Sequence, residues 1–242
     1  MRLISTVTAA LVLLSAIPAP AQEWTDFVSR EDGFKVNFPG APTITETAFT
    51  SEYGASLPAR VYQVARDQER YSVTVVDYRP IEKLLTEKAK TCPPFADERC
   101  TGIGAGFAVG AGYWKTDVRG ALVWASWQFM QRDAKVTHYM WNFIDLVEGH
   151  QLQLTNNRDQ SRTFVAIYMH ENRLYILEGT VPEGDPEPGL FQQSLGFVDK
   201  DGNGVRYRDY YDNDYPAPPL ARPAGSGAGA GAPPAAPQGG AK

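Results

Sequence analysis

The stretch from Ser161 to Phe197, SRTFVAIYMHENRLYILEGTVPEGDPEPGLFQQSLGF, carries the clearest fold signal in the chain. An apolar run, Phe164 to Met169, is followed by His170-Glu171-Asn172-Arg173 and a second apolar run, Leu174 to Leu177. Two such runs across a short polar link predict a hairpin. The first run is aliphatic or aromatic on both alternation phases, which predicts a strand covered on both faces near the centre of a sheet. After Pro182, the Asp185-Pro186 pair is placed to cap and open a short helix with Leu190, Phe191, Ser194 and Leu195 on one side and Gly196 at its end. A strand pair thus feeds a helix that folds back on it.

Upstream, Trp24 to Val28 and Phe34 to Phe38 flank the turn residues Ser29 to Gly33, and Phe34, Val36 and Phe38 alternate with Lys35 and Asn37 as in a half-buried strand. Pro39-Gly40-Ala41-Pro42 stops it. Strands over Thr43 to Thr50, Leu57 to Ala65 and Arg70 to Tyr78, with Asp67-Gln68-Glu69 as a turn, extend this into one N-terminal antiparallel meander. IEKLLTEKAK then sets Ile81, Leu84, Leu85 and Lys88 at helical spacing. Tyr113 to Val118, Ala121 to Met130, Lys135 to Ile144 and Gln151 to Thr155 form a second, aromatic-rich run of predicted strands. Turns are expected at Gln131-Arg132-Asp133-Ala134 and Glu148-Gly149-His150. The order of strands, helix, strands and short helix predicts an α+β fold, an antiparallel sheet packed by helices, with a pure β-sandwich as the alternative.

The chain's 242 residues divide by composition. Met1-Arg2, an apolar stretch from Leu3 to Ile17 and the small residues of Pro18-Ala19-Pro20-Ala21 define an expected signal peptide over residues 1–21, leaving Gln22 as the mature N-terminus. That stretch falls short of the ~20 residues that span a bilayer, and no later segment of the sequence spans one. Residues 22–199 make the expected domain, 200–215 an acidic, tyrosine-rich arm, and 216–242 a Pro/Ala/Gly tail that cannot bury a core, either inert or a tether. The foldable part, about 190 residues, is enough for one core. A net charge of −5 with no basic stripe excludes nucleic acid as the partner. The place of action is periplasmic or secreted.

Cys92 and Cys100, in CPPFADERC, are expected to pair as a disulfide in an oxidising compartment, worth about 2.5 kcal/mol for so small a loop. Their spacing is not that of a redox CxxC motif, and two thiols without nearby histidines do not complete a tetrahedral metal site. The sharpest local motif is Asp199-Lys200-Asp201-Gly202-Asn203-Gly204, the first half of a calcium loop, with Asp199, Asp201 and Asn203 as oxygen ligands and Asp209 as a late one. Its second half departs from the pattern, with Arg206 and Tyr210 where an aliphatic residue and a glutamate belong, and a plain turn is the competing expectation. Gly102 to Gly112 lacks the flanking strand and Lys-Ser/Thr pair of a phosphate cradle and is expected as a connection. His138, His150 and His170 lie far apart with no GxSxG or HExxH nearby, and His170 is expected as a solvated turn residue. Trp114, Trp124, Trp127 and Trp141, with Tyr113, Tyr139 and Phe143, suggest either core packing or a stacking surface for sugars or apolar ligands. As residues of one strand, Trp124 and Trp127 would point to opposite faces.

The Trp24 start, the FKVNFPGAP segment, RYSVTVVDY, NRLYIL and the closing FQQSLGF together resemble a group of exported bacterial proteins that are similar to the PsbP-like α/β/α sandwich. The resemblance covers most of the chain outside Gly102 to Ala121 and the tail. It implies an antiparallel sheet between helical layers and an accessory or scaffolding role rather than catalysis. The manganese-cluster role of the photosynthetic member is not carried over, because no residue here matches a transferable functional motif. The resulting expectation is an exported, non-catalytic accessory protein that binds an envelope partner through its sheet edge or its arm. The rival is a small-ligand-binding module or a hydrolytic enzyme, with a structural calcium at the Asp199 loop.

Overall fold

A computed structural model describes residues 24–96, 100, 113–211 and 213. The segment through Ala21, the Gly102–Gly112 stretch and the tail from Pro216 lie outside the described residues. The hairpin that opened the sequence argument is β8 (Arg162–His170) and β9 (Arg173–Val181), and it is the middle of the molecule. Glu171 and Asn172 form its two-residue link with φ of 48° and 56°, the twist that suits a tight antiparallel return. Thr163 to His170 are buried without interruption. Alternation sorts them: Val165, Ile167 and Met169, with Leu174 and Ile176, enter one core cluster, while Ala166 and Tyr168, with Tyr175 and Leu177, enter the other.

Around this pair stand β3 (Thr43–Thr50), β4 (Ser56–Arg66), β5 (Glu69–Asp77), β6 (Ala134–Ile144) and β7 (Val147–Asn156). They make a seven-stranded sheet in the order β3-β4-β5-β9-β8-β7-β6. Every pair is antiparallel, so β3 and β6 are its two edges. One face is covered by α1 (Ile81–Lys90) and α2 (Tyr113–Met130). From them Ile81 and Leu85, and Val118, Ala121, Ala125 and Phe129, pack onto Leu57, Val76, Leu152, Leu154 and Val165. The other face carries a three-stranded sheet of β1 (Thr25–Ser29), β2 (Phe34–Phe38) and β10 (Gly196–Phe197), and the short α3 (Gly189–Gln193). The expected α+β class is therefore the observed one. Of the two helical layers the resemblance implied, one holds both longer helices and the other holds the short α3 beside the three-stranded sheet.

Several local expectations are corrected. Tyr113 to Met130 is one helix, not two strands. Its tryptophans and valines favour strands, but Val118, Ala121, Ala125 and Phe129 recur at three- and four-residue steps, and the alanines let the helix sit close on the sheet. β1 and β2 leave the N-terminal meander for a separate sheet, because β10 returns to pair with β2. Glu148-Gly149-His150 lies inside β7, and the turn falls at Asp145-Leu146, with φ of 47° and 65°. Gly149 is small because Tyr168 crosses it: a Cβ there would lie 2.3 Å from the Ile167 carbonyl and from the Tyr168 ring. α3 opens after Pro188 with no side-chain cap, so Asp185 does not start it. Phe191 and Leu195 face inward, whereas Leu190 points out and Ser194 Oγ accepts the Asn37 N–H at 2.8 Å.

Cys92 and Cys100 are joined, with an S–S distance of 2.07 Å, just beyond the end of α1. Among the described residues no helix is long and apolar enough to cross a membrane.

Candidate functional site

The most unusual surface is the β6 edge. The ten residues from Lys135 to Ile144 lie on a strand that carries an irregularity between Val136 and His138 and whose outer side pairs with nothing among the described residues. Tyr139, Met140, Trp141 and Phe143 are exposed on it. Trp141 and Phe143 point to the same face, with ring centroids 5.4 Å apart. Tyr210 joins them from the C-terminal segment, 6.0 Å from Trp141 and 5.7 Å from Phe143. All three remain about half exposed, at 48%, 44% and 56%. A cluster of three large rings left in water is what marks an interaction surface.

Tyr210 is held there by an anchored strap. The Tyr211 N–H donates to the Leu146 carbonyl at 2.8 Å and the Glu148 N–H to the Tyr211 carbonyl at 3.1 Å, a parallel bridge onto β7. The Tyr211 hydroxyl accepts the Glu171 N–H at 2.9 Å and donates to Asn213 Oδ1 at 2.9 Å. Asn213 in turn binds Asn172 twice, at 3.0 Å each. Val205, Tyr207 and Tyr211 are buried in the core cluster of β2 and β9. The residues expected as an arm are thus laid across the β6–β7 and β8–β9 turns.

His170 fastens the same strap, which corrects its expected place in solvent. It is 2% exposed, stacked on Phe197 at 4.2 Å, with Nε2 2.6 Å from the Tyr207 hydroxyl. Burial, helped by the charge of Arg173, pushes its pKa down to about 3 and keeps the ring neutral. His150 is placed otherwise: Nδ1 lies 2.8 Å from Ser126 Oγ and 3.1 Å from the Tyr139 hydroxyl. Ser126 is 1% exposed, and its hydroxyl is also within hydrogen-bond distance of the Leu122 carbonyl, at 2.7 Å. His138 lies exposed on β6, and the three imidazoles have separate partners or positions.

The Asp199 segment is a hairpin tip, bracketed by an antiparallel bridge between Val198 and Gly204. Asp199 Oδ1 accepts the N–H groups of Asp201 and Asn203 at 2.9 and 2.8 Å, and Oδ2 accepts Asn203 Nδ2 at 3.2 Å. Those bonds to Asn203 hold its carboxyl below the usual range. The structure joins Asp199 and Asn203, while Asp201 and Asp209 are exposed. Among the described residues no group of three or more His, Cys, Asp or Glu side chains is placed to hold a metal ion.

Trp124 and Trp127, one helical turn apart on α2, stack at 5.0 Å and 17° rather than pointing to opposite faces. Trp124 is fixed by its Nε1 donating to the Thr50 carbonyl at 2.9 Å. Near the other end of α2 a cleft of about 450 Å³ opens between the starts of both long helices and the β8–β9 turn. Its walls include Tyr78, Arg79, Trp114, Lys115, Arg119 and Asn172.

These features define an α+β domain with an open aromatic sheet edge. Among solved structures the chain is similar to cyanobacterial PsbP (CyanoP) from Synechocystis sp. PCC 6803, at 14% identity and a TM-score of 0.41, over 77% of this chain and 99% of that one. Nothing of function is taken from that likeness. No family model matches the sequence, and no curated protein matches it.

Proposed function

We propose that the protein is an exported, non-catalytic accessory protein of the cell envelope that takes an extended segment of a partner protein as an added strand on β6. The single observation that carries this is the exposed trio Trp141, Phe143 and Tyr210 beside a strand edge that is unpaired among the described residues. An open edge offers a row of main-chain donors and acceptors, and side-chain pockets beside it supply selectivity. β6 carries Lys135 and no carboxylate, which suits a neutral or acidic strand. The export part of the proposal is supported by the signal-like N-terminal sequence and by the disulfide, which persists in oxidising compartments. The sequence offered the edge and the arm as separate binding surfaces. Tyr210 makes them one.

The test is register. A photo-crosslinking residue is placed at His138 or Met140 of β6, and at Ile44 of β3 as the control, in cells that make the protein. Strand addition gives crosslinks from His138 and Met140 to positions two apart on one partner segment, and none from Ile44. Crosslinks scattered over unrelated positions would refute it. A crosslink to β6 of a second copy would replace the partner by self-association.

A further inference from the structure

We infer, resting on the strand-addition reading of β6, that the same partner lays an amphipathic helix on the α2 side of that strand, in a trough between its aromatic row and the flank of α2. Register places the row. Val136, Tyr139, Trp141 and Phe143 stand opposite Leu154, Leu152, His150 and Glu148 of β7. Leu152 and Leu154 are buried under α2, and His150 reaches Ser126 of that helix. Residues opposite each other in a sheet share a face, so all four side chains of β6 stand on the face that α2 covers further in. The irregularity between Val136 and His138 brings Val136 into phase with the three rings. Asn142, between two of the rings, donates instead to the Tyr168 hydroxyl on the opposite face. All four members of the row are at least 36% exposed, and Tyr210 closes one end of it.

The wall of the trough is α2. Leu122, Ser126 and Met130 recur at every fourth position and share one flank, with Val123 beside them. His150 Nδ1 meets Ser126 Oγ at 2.8 Å and the Tyr139 hydroxyl at 3.1 Å, so that flank and the row adjoin at this imidazole. Val123 is 60% exposed, and Leu122 and Met130 are half-buried. Layer spacing then selects the occupant. α2 packs on β7 and β8. Neighbouring helices lie about 8–10 Å apart and neighbouring strands about 4.8 Å, so each helix of such a layer spans two strands. The next place therefore lies over β6 and the position beyond it, which is where the added strand would run. An extended segment covers a ladder edge, but only an element of helical width fills the space between the row and α2. A helix with an apolar stripe at every third and fourth residue would bury that stripe on Val123, Val136, Trp141 and Phe143.

The experiment puts a photo-crosslinking residue at Val123, Val136 or Phe143 of the full chain in cells that make it, with exposed Leu190 of the opposite layer as the control. Captured partner residues are mapped by mass spectrometry. Val136 and Phe143 lie about 20 Å apart along β6. A helix on them is captured at positions about 13 residues apart, an extended segment at positions about 6 apart. The expected result is the longer spacing, with Val123 capturing the same stretch and Leu190 nothing. Val123→Asp should cut capture from Val136 at least tenfold without moving the melting temperature. A spacing of about 6, no capture from Val123, unchanged capture in Val123→Asp, or capture of a second copy or of residues 214–242 of the chain itself would overturn the helix. The two readings fail separately. A two-residue ladder from His138 and Met140 with the short spacing here would refute the helix and keep the added strand. The long spacing without that ladder would support the helix and refute the added strand.

Discussion

The two edges of the seven-stranded sheet differ in what they leave to solvent. β3, TITETAFT, offers threonines, an alanine and Glu46, and a single large exposed apolar side chain, Ile44. β6, AKVTHYMWNFI, exposes Val136, Tyr139, Met140, Trp141 and Phe143. Beside β3 the polar groups are tied to the body: Arg60 of β4 reaches Glu31 and both oxygens of buried Asp32, and Asp32 accepts the Tyr62 hydroxyl at 2.5 Å. Beside β6 an aromatic residue is delivered instead, by a strap the fold takes trouble to fasten. One edge is polar and tied to the body, and the other leaves large apolar rings in water. Charged and polar edges resist pairing, whereas long apolar edges invite it.

If that contrast is right, Trp141→Ser with Phe143→Ser should weaken partner binding on the order of a hundredfold, or about 2.7 kcal/mol, as loss of a clustered aromatic anchor does. Its melting temperature should stay near the wild-type value. A binding assay against the crosslinked segment, run beside thermal melts, checks both halves. An equal loss of stability would make the trio a packing feature and erase the contrast.

Gly149→Ala should act on stability, costing about 2–3 kcal/mol by forcing β7 away from Tyr168. The added Cβ would meet the Ile167 carbonyl and the Tyr168 ring, and among the described residues β7 is the only strand that holds β6 to the sheet. Denaturant unfolding measures it. Arg60→Ala belongs to the other edge and should cost a similar or slightly smaller amount, about 2 kcal/mol, because it strips a nearly buried carboxylate of its cation. Partner binding should not change in it.

Acid should loosen the strap. In the fold His170 takes a proton only near about 3, against 6.5 for the free group. The unfolded chain therefore binds the extra proton between those values, so this stability is complete above about pH 6.5 and is lost as pH falls towards 3. By pH 5 the loss is about 2 kcal/mol. Asp117, whose carboxyl burial pushes up, contributes with the opposite sign, and half-buried His150 with the same sign as His170. The quantity to measure is thus the difference in pH dependence between the wild type and His170→Phe, which should lose about that 2 kcal/mol of slope. The smallest effect belongs to Ile44→Ser, within about 0.5 kcal/mol in stability and nil in binding.

Much of the sheet could be read locally. The bounds of α1 and the β8–β9 hairpin follow from period and punctuation because their burial matches their own sequence pattern, and those of β3 were legible although it is exposed along almost its whole length. α2 was hidden by residues whose strand preference is real but weaker than their packing, and its spacing of buried positions was the available signal. Gly149 looked like a turn because glycine marks both turns and close approaches. The candidate edge was half visible: aromatic crowding in β6 stood in the sequence, and its exposure did not. Tyr210 could not be assigned to it, since 66 residues separate the strap from Phe143 only along the chain, while their rings are 5.7 Å apart.

The sequence by itself determined the antiparallel α+β class, the pairing of Cys92 with Cys100 and the central hairpin, because these depend on alternation and short-range closure. Only the tertiary structure decided which strands are edges, that His170 is buried, and that Trp141, Phe143 and Tyr210 meet. Those are relations between distant segments, and they exist only once hydrophobic burial has closed the loops that bring the segments together.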